Sequence, residues 1–321
     1  MTDLSITVVI PTVGRDSLGA VLAAMPEGMR VIVVDDRPGA APLPMGDLAA
    51  DVTVIASGGR GPAAARNRGW RAASAEWVVF LDDDVVPAPG WADALDGDLR
   101  ELPPEVAGSQ GRIVVPLDPG RRPSDAERNT AGLATAEWIT ADMAYRRSAL
   151  AGAGGFDERF PRAYREDADL ALRLTAAGHR LVRGERTTVH PVRDDGFWAS
   201  VRRQRGNADD ALMRRVHGPG WRSRVGGSGR LGRHVLTTAF GVAAIGSAVL
   251  ARRAWWVPAV AFAGWAGLTA EFAWTRIAPG PRTAQEVIRM VATSVLIPPA
   301  ACLHRLRGEL LLRGDRLCIR T

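Results

Sequence analysis

Apolar runs rich in β-branched residues recur through the first half of this chain, each bounded by turn residues. Four of them predict buried strands: Ile6–Ile10, Val31–Val34, Val52–Ile55 and Trp77–Leu81. Pro11 is expected to end the first strand, and apolar residues then recur at helical spacing from Leu18 to Met25. Strand, helix and strand in this order predict a βαβ unit, whose ligands gather beyond the carboxyl ends of the strands. We therefore expect an α/β fold with a mainly parallel sheet flanked by helices.

Carboxylates follow two of the predicted strands. Asp35 and Asp36 come after the second strand, and Asp82, Asp83 and Asp84 come after the fourth. Strand alternation places Asp82 and Asp84 on one side and Asp83 on the other. Like charges at one strand end are costly unless a cation or hydrogen-bond donors offset them, so the triplet predicts Mg²⁺ or Mn²⁺ held by few protein ligands. A solvated acidic turn is the alternative for the triplet, and a simple turn pair is the alternative for Asp35 and Asp36.

A glycine-rich segment, Ser57–Gly61, leads into a predicted helix that starts at Pro62 and carries Arg66. A helix start binds anions, and a guanidinium forks onto phosphate oxygens, so this segment is a candidate phosphate site. For Arg66 the alternative is a solvated helix face.

Composition narrows the possible partners. The 321 residues include 41 basic ones, all of them arginine, and the formal net charge is +6 with a sequence pI near 10.6. Arginine pairs with phosphate, which suits sugar nucleotides and anionic lipid headgroups, whereas no nucleic-acid-binding motif is present. Cys302 and Cys318 are the two cysteines, so the sequence predicts no disulfide framework, and a reduced, cytosolic setting fits. The N-terminus has no positive region before its apolar run, so we expect no cleaved signal peptide.

Six segments in order resemble the family 2 glycosyltransferases with a GT-A fold, from about residue 5 to about residue 195. They are Val9–Thr12, Val34–Asp36, Gly61–Gly69, Phe80–Asp84, Thr140–Arg147 with Gly154–Glu158, and Arg165–Leu170. The resemblance implies a GT-A, Rossmann-like mixed sheet, a nucleotide-diphosphate sugar donor, a divalent metal and inversion at the transferred sugar. It also implies six donor-binding residues: Pro11, Thr12, Asp36, Arg66, Asp82 and Asp83.

The resemblance also implies individual roles. Asp36 is expected at the nucleotide base, Arg66 at the nucleotide or its diphosphate, and Asp82 with Asp84 at the ribose and the metal. Asp83 is included because the register along the triplet is open. His190 is either a further metal ligand or a half-buried histidine at a strand end.

The same resemblance makes Asp167 the catalytic base, with Glu166 orienting the loop or the acceptor. Simple helix-start chemistry is the alternative for this acid pair. Asp142 and Tyr164 are expected on the acceptor side, although Asp142 stands where many relatives carry asparagine. The Gln-x-x-Arg-Trp signature of processive synthases is absent, because the nearest segment, Arg203–Asn207, lacks the tryptophan. A single-addition transferase with a lipid-linked or cell-envelope glycan acceptor is therefore expected.

Two other functions remain open. A sugar nucleotidyltransferase shares this sheet architecture but usually needs a glycine-rich N-terminal loop with a lysine, and this chain has no lysine. The non-enzymatic alternative is a membrane-tethered protein that binds sugar nucleotides without activity. The intact Glu166–Asp167 pair counts against that alternative.

Hydropathy predicts a domain boundary, with a catalytic domain at residues 1–230 and membrane-associated helices at residues 231–321. Val235–Leu250 and Trp255–Trp274 are nearly free of charge, whereas Ala284–Leu306 is broken by Pro298–Pro299 and resembles an interfacial helix. A buried helical hairpin is the alternative. The arginines that flank the apolar runs predict the inner (cytoplasmic) membrane with the catalytic domain on the cytoplasmic side, although Arg252–Arg253 opposes this topology.

Overall fold

The computed structural model describes residues 4–39, 43, 51–193, 195–227, 229–250 and 254–318, without the side chains of residue 250 and residues 314–318. Among these residues, eight strands form one mixed sheet: β1 Ile6–Thr12, β2 Arg30–Asp35, β3 Val52–Ala56, β4 Trp77–Leu81, β5 Val86–Pro87, β6 Val106–Val114, β7 Asp142–Arg146 and β8 Arg180–Val189. Their order in space is β3-β2-β1-β4-β7-β6-β8-β5. Neighbours from β3 to β4 are parallel, as are β6 and β8, whereas β7 is antiparallel to β4 and β6, and β5 to β8.

The helices lie between and after these strands. They are α1 Leu18–Ala23, α2 Pro62–Ala72, α3 Trp91–Arg100, α4 Asp125–Ala131, α5 Arg147–Gly152, α6 Glu166–Ala176, α7 Ala199–Arg202, α8 Asn207–His217, α9 Trp221–Arg224, α10 Leu231–Leu250, α11 Trp256–Ile277 and α12 Ala284–Cys318. Short 3-10 turns lie at Gly132–Ala134 and Arg203–Gly206.

Helices cover both faces of the sheet because its central strands are apolar on both sides. On β4 all five residues are buried, and alternate side chains enter two different cores. Val78 and Phe80 pack with residues of α2 and α6, whereas Trp77, Val79 and Leu81 pack with residues of α1 and α3. Strand alternation thus produces an α/β sandwich from runs that are continuously apolar in sequence.

Close packing of α2 on the sheet depends on one glycine. A Cβ at Gly69 would lie 2.3 Å from Val9 Cγ1 and 3.1 Å from Val34 Cγ2, so no larger residue fits without displacing the helix. This contact sets the position of α2 over β1 and β2, and with it the position of the helix start.

The chain divides into two compact units. Unit 1 comprises residues 1–116 and 130–192 and contains the whole sheet, and unit 2 comprises residues 117–129 and 193–321. The boundary expected at residue 230 lies inside unit 2, because α7 and α8 pack on α12 together with the more apolar helices. Hydropathy could not reveal this grouping, since α7 and α8 are rich in arginine and aspartate.

Two expectations about proline were wrong. β1 does not end at Pro11 but continues to Thr12, paired with β2, and the β1–β4 ladder has already ended at Val9. Pro298–Pro299 do not break α12, which runs through them, because proline's fixed φ is itself helical and its cost is the lost amide donor.

Among the described residues, one helical segment, Ala284–Arg313, is long and apolar enough to cross a membrane by length and composition. It belongs to α12, the helix expected to be interfacial, and not to α10 or α11. A third of its most apolar window is buried within the protein, and buried core helices can have the same composition. Arg252–Arg253, which opposed the expected topology, lie outside the described residues.

Candidate active site

A cleft of about 240 Å³ lies in unit 1 beyond the carboxyl ends of β1, β2 and β4. This is the edge where parallel α/β sheets bind ligands. Its lining combines carboxylates and guanidiniums with small apolar residues of α2 and of the loop before α6: Pro11, Thr12, Val13, Arg15, Asp36, Pro62, Ala65, Arg66, Asp82, Asp83 and Ala163. All six residues that the family resemblance assigns to the donor therefore line this cleft.

The aspartate triplet does not follow strand alternation. β4 ends at Leu81, and Val85 N donates to Asp82 O at 3.2 Å, so the three acids occupy a turn. Asp82 contacts Arg66, whereas Asp83 and Asp84 both approach one guanidinium nitrogen of Arg15, at 2.7 and 3.8 Å. The expectation that Asp82 and Asp84 share a side was therefore wrong, because turn geometry replaces the two-residue period at this point.

Asp83 joins the end of β4 to the end of β1. Its carboxylate accepts hydrogen bonds from Thr12 Oγ1 and Arg15 Nη1, both at 2.7 Å, and the residue is 2% exposed. Thr12 Oγ1 also accepts the Gly14 amide at 2.9 Å. Asp83 thus holds the loop after β1 against the triplet.

Asp84 faces His190, which follows β8. Asp84 Oδ1 and His190 Nε2 are 3.9 Å apart. This proximity would let Asp84 and His190 contribute ligands to one divalent ion. His190 Nδ1 lies 3.0 Å from Pro191 O, a contact that fixes the proton on Nδ1 and leaves Nε2 as a ligand.

Oxygen and imidazole donors at this pair suit Mg²⁺ or Mn²⁺. Among the described residues, however, no group of three or more His, Cys, Asp and Glu side chains is placed to hold a metal ion. The structure does not gather the expected trio of Asp82, Asp84 and His190 into one group, because Asp82 faces Arg66, and their metal role stays a prediction. The pair Asp84 and His190 would leave the remaining positions to water and substrate oxygens.

Arg66 connects the triplet to the acidic start of α6. It is 2% exposed, and its two terminal nitrogens donate to Asp82 Oδ1 at 2.8 Å and to Glu166 Oε1 at 2.7 Å. Its Nε and Glu166 Oε2 are buried without a hydrogen-bond partner among the described residues. The solvated-face alternative for Arg66 is wrong, and its primary contacts are carboxylates rather than an open fork for phosphate.

Glu166 and Asp167 start α6 as a pair in different surroundings. Glu166 is buried, whereas Asp167 is half-buried and makes no ion pair with a described residue. Burial raises the pKa of both carboxyls, and the charge of Asp167 raises the pKa of Glu166 further. The Arg66 guanidinium acts on both pKa values in the opposite direction. Arg165, immediately before the pair, has a φ of +78°, a strained value for a non-glycine residue.

Asp36 holds the glycine-rich loop. Its carboxylate accepts from Ser57 Oγ at 2.6 Å, from the Arg60 amide at 2.9 Å and from the Gly61 amide at 2.8 Å. Gly61 has a φ of +94°, and a Cβ there would lie 3.0 Å from Pro161 O. Asp36 therefore shapes the start of α2 while it lines the cleft, and its contact with a base stays a prediction.

Asp142 does not lie on the acceptor side. It is fully buried on β7 opposite Leu81, and its two oxygens accept from Arg186 Nε at 2.7 Å and Trp91 Nε1 at 2.9 Å. Burial raises the pKa of Asp142 and Arg186 opposes that rise. Gly111 provides the space, because a Cβ there would lie 2.4 Å from Asp142 Oδ2. The acceptor role expected for Asp142 is wrong, because the register of β7 directs this side chain into the core.

Tyr164 lies in the loop before α6, near Ala163 of the cleft lining. It is 38% exposed, and its hydroxyl accepts from Arg165 Nη2 at 2.7 Å. Its acceptor-side role stays a prediction.

Two residues near the site escaped sequence reasoning. Arg15, in the loop after β1, bridges Asp83 and Asp84, and its position after a parallel strand was the available signal. Tyr145 on β7 has a fully buried hydroxyl without a hydrogen-bond partner among the described residues, and burial with the charge of Asp167 raises its pKa. Only the three-dimensional structure reveals this buried phenol.

Comparison with known proteins agrees with this geometry. The family model described as glycosyl transferase family 2 matches residues 7–153, which hold β1 to β7 and the aspartate triplet. The chain contains a family 2 glycosyltransferase domain. Two curated relatives, the pre-mycofactocin glycosyltransferases of Mycobacterium tuberculosis strains CDC 1551 and ATCC 25618, are each 36% identical over 197 residues. The match covers 55% of this chain and 40% of each relative, so the chain spans well under half of their length.

A solved structure supports the fold of the family 2 domain. A mannosyltransferase from Pyrobaculum calidifontis, solved with GDP-Man and Mn²⁺, is 20% identical with a TM-score of 0.55. The similarity covers 95% of this chain and 88% of that one. The GT-A fold predicted from sequence is confirmed.

Proposed function

We propose that this chain is an inverting glycosyltransferase that moves a single sugar from a nucleotide-diphosphate sugar to an acceptor hydroxyl. The observation that carries the proposal is the state of Asp167. Among the five carboxylates of the triplet and the acid pair, it alone makes no ion pair with a described residue. An unpaired, half-buried carboxylate with a raised pKa suits a general base.

The remaining residues divide the work of the reaction. Asp167 takes the proton of the acceptor hydroxyl as that oxygen bonds to the anomeric carbon. The bond from the anomeric carbon to the diphosphate breaks, and its electron pair leaves with the diphosphate. Arg66 holds Glu166 and Asp82 in position through one hydrogen bond to each. Asp84 and His190 would hold Mg²⁺ or Mn²⁺, which when bound neutralises charge on the departing diphosphate.

The two alternative functions receive less support. A nucleotidyltransferase does not need a general base, and the inactive binder does not need the contact between Arg66 and Glu166. The family 2 match and the mannosyltransferase-like fold also favour glycosyl transfer.

For the acceptor, we propose a lipid-linked or cell-envelope glycan hydroxyl. The exposed apolar residues of α10, α11 and α12 support this choice, because they suit attachment to the inner membrane with the catalytic domain on its cytoplasmic side. The relatives named pre-mycofactocin glycosyltransferases favour a second candidate, the pre-mycofactocin of their name.

Metal dependence tests the proposal. Nucleotide-diphosphate sugars, GDP-mannose and UDP-glucose among them, are screened for donor hydrolysis and for thermal stabilisation with Mn²⁺, with Mg²⁺ and with excess chelator. One donor is expected to stabilise the protein and to be hydrolysed only with the metal.

Asp84→Asn is expected to abolish metal-dependent turnover, since it weakens a site of two protein ligands. Asp96→Asn, which changes an exposed aspartate on α3, is the matched control and is expected to keep the wild-type rate. Wild-type turnover by Asp84→Asn in excess chelator would disprove the metal assignment.

A further inference from the structure

Unit 2 contains a groove that the catalytic proposal does not use. It lies between the segment around α7 and the middle of α12, has a volume of about 340 Å³, and is lined largely by apolar surface. Trp198, Leu296 and Ala300 supply apolar lining, and Arg202, Arg205 and His304 supply cationic or titratable groups. No carboxylate is among its lining residues.

The chemistry of the groove favours an amphiphilic anion. Apolar lining is costly to leave in water, and guanidiniums fork onto phosphate oxygens. Asp195 does not cancel the positive charge, because it pairs with Arg203 at 2.8 Å. Arg205 is exposed and has no ion-pair partner among the described residues. The groove therefore complements a phosphate group that is joined to an apolar body.

The surface of α12 continues the groove. Leu296, Ala300 and His304 follow one another at four-residue spacing, so they lie along one stripe of the helix. Leu303, Leu306 and Leu310 form a second stripe on the adjacent face of α12, toward its C-terminus, and are each at least 55% exposed. An exposed leucine stripe beside a cationic groove is the arrangement that an acyl chain and its headgroup require.

We propose that this groove binds the phosphate of an acidic membrane phospholipid, with the acyl chains along the exposed leucines of α12. The inference rests on the membrane attachment proposed above and adds a defined headgroup site to it. Arg205 is the principal phosphate contact, and Trp198 lies at the level of the headgroups, where tryptophan is favoured.

Vesicle binding tests the site with the full-length protein. Cosedimentation is measured with vesicles of phosphatidylcholine alone and with vesicles of phosphatidylcholine and phosphatidylglycerol in equal parts. The wild type is expected to bind both and to prefer the anionic vesicles. Arg205→Gln is expected to lose about 5-fold in affinity for the anionic vesicles only, the equivalent of about 1 kcal/mol for one arginine at a charged surface.

Arg214→Gln is the matched control. Arg214 is an exposed arginine of α8 in the same unit, it lies outside the groove lining, and it has no ion-pair partner among the described residues. It is expected to bind as the wild type does. An equal loss in both variants would show general charge attraction and overturn the groove site.

Two further outcomes separate the underlying proposals. Binding to both vesicle types without preference for the anionic one would overturn the headgroup site and leave membrane attachment intact. No binding to either type would overturn membrane attachment itself and the groove site with it. Loss of the anionic preference in excess inorganic phosphate, with binding to neutral vesicles unchanged, would support a phosphate contact, whereas an unchanged preference would count against one.

Discussion

At the scale of single residues, the site is a group of carboxylates, four of which share two arginines as ion-pair partners. Arg15 forms ion pairs with Asp83 and Asp84, and Arg66 forms ion pairs with Asp82 and Glu166. Asp167 has no ion pair with a described residue. Excess negative charge in a half-buried site raises carboxyl pKa values and favours a bound cation. This arrangement supports both the proposed general base and the proposed metal site.

Asp167→Asn tests the general base. It keeps the shape of the side chain and removes the proton acceptor, so transfer is expected to fall by roughly 100-fold or more while donor affinity stays near normal. Asp96→Asn serves again as the control. Near-normal transfer would exclude Asp167 as the base and leave Asp142, Glu166 and Asp169 as candidates, all three of them buried and paired with an arginine.

The pH dependence gives a second measurement on the same residue. Burial raises the pKa of Asp167, and a base works only in its ionised form. The rate of the wild type is therefore expected to fall with decreasing pH at a higher pH than for an ordinary aspartate, and this acidic limb is expected to disappear in Asp167→Asn. If the acidic limb of the pH–rate profile persists unchanged in Asp167→Asn, that limb belongs to another ionisable group.

Arg66→Gln tests the contact between the triplet and the acid pair. Removing the guanidinium leaves Asp82 and Glu166 without their cation, and breaking a buried ion pair typically costs about 3–5 kcal/mol of unfolding free energy. Arg66 lowers the pKa of Glu166, so its loss raises that pKa further above the unfolded value. A carboxyl whose pKa is higher in the folded state favours folding only while it is protonated. The loss of unfolding free energy in Arg66→Gln is therefore expected to grow as pH rises through the pKa of Glu166.

Urea unfolding of Arg66→Gln and Arg68→Gln at several pH values measures this deficit. Arg68 is exposed on the same helix and has no ion-pair partner among the described residues, so its variant is expected to stay within about 0.5 kcal/mol of the wild type. Equal, pH-independent stability of both variants would contradict the proposed contact.

At the scale of elements, a buried ion pair joins β7, β8 and α3. Arg186 donates to Asp142, to Asp98 Oδ2 at 2.9 Å and to Ser109 O at 2.6 Å, and both Arg186 and Asp142 are fully buried. The pair orients the antiparallel part of the sheet, which brings the end of β8, and therefore His190, to Asp84.

Asp142→Ala is expected to reduce the free energy of unfolding by about 3–5 kcal/mol, because it leaves Arg186 buried without its principal counter-ion. Urea unfolding measures the loss. Glu185→Gln is the control: it removes an exposed ion pair with Arg112, and its expected cost is below about 1 kcal/mol. Full stability in Asp142→Ala combined with lost transfer would restore the acceptor-side role.

At the scale of the whole molecule, the two units differ in what their surfaces expose. Unit 1 buries apolar residues on both faces of the sheet, whereas α10, α11 and α12 of unit 2 leave large residues such as Ile245, Val260 and Leu303 more than 60% exposed. Such apolar exposure favours an interaction partner for unit 2. The proposed membrane surface is one partner that suits both the apolar helices and the arginine-rich composition.

The sequence by itself determined the α/β class, the positions of β1, β4 and α2, and the candidate carboxylates at the strand ends. These features depend on local patterns, namely β-branched runs, helical periodicity, and a proline at the first helical position. The acidic pair at the start of α6 was likewise evident from adjacent residues.

Only the tertiary structure decided which carboxylates face a cation, which lie in the core, and where the units divide. Asp142 and Asp84 are both aspartates next to strands, yet one is buried against Arg186 and the other faces His190. These contacts join residues 44 and 106 positions apart along the chain. Strand register and turn geometry determine them, and no local sequence pattern encodes such long-range placement.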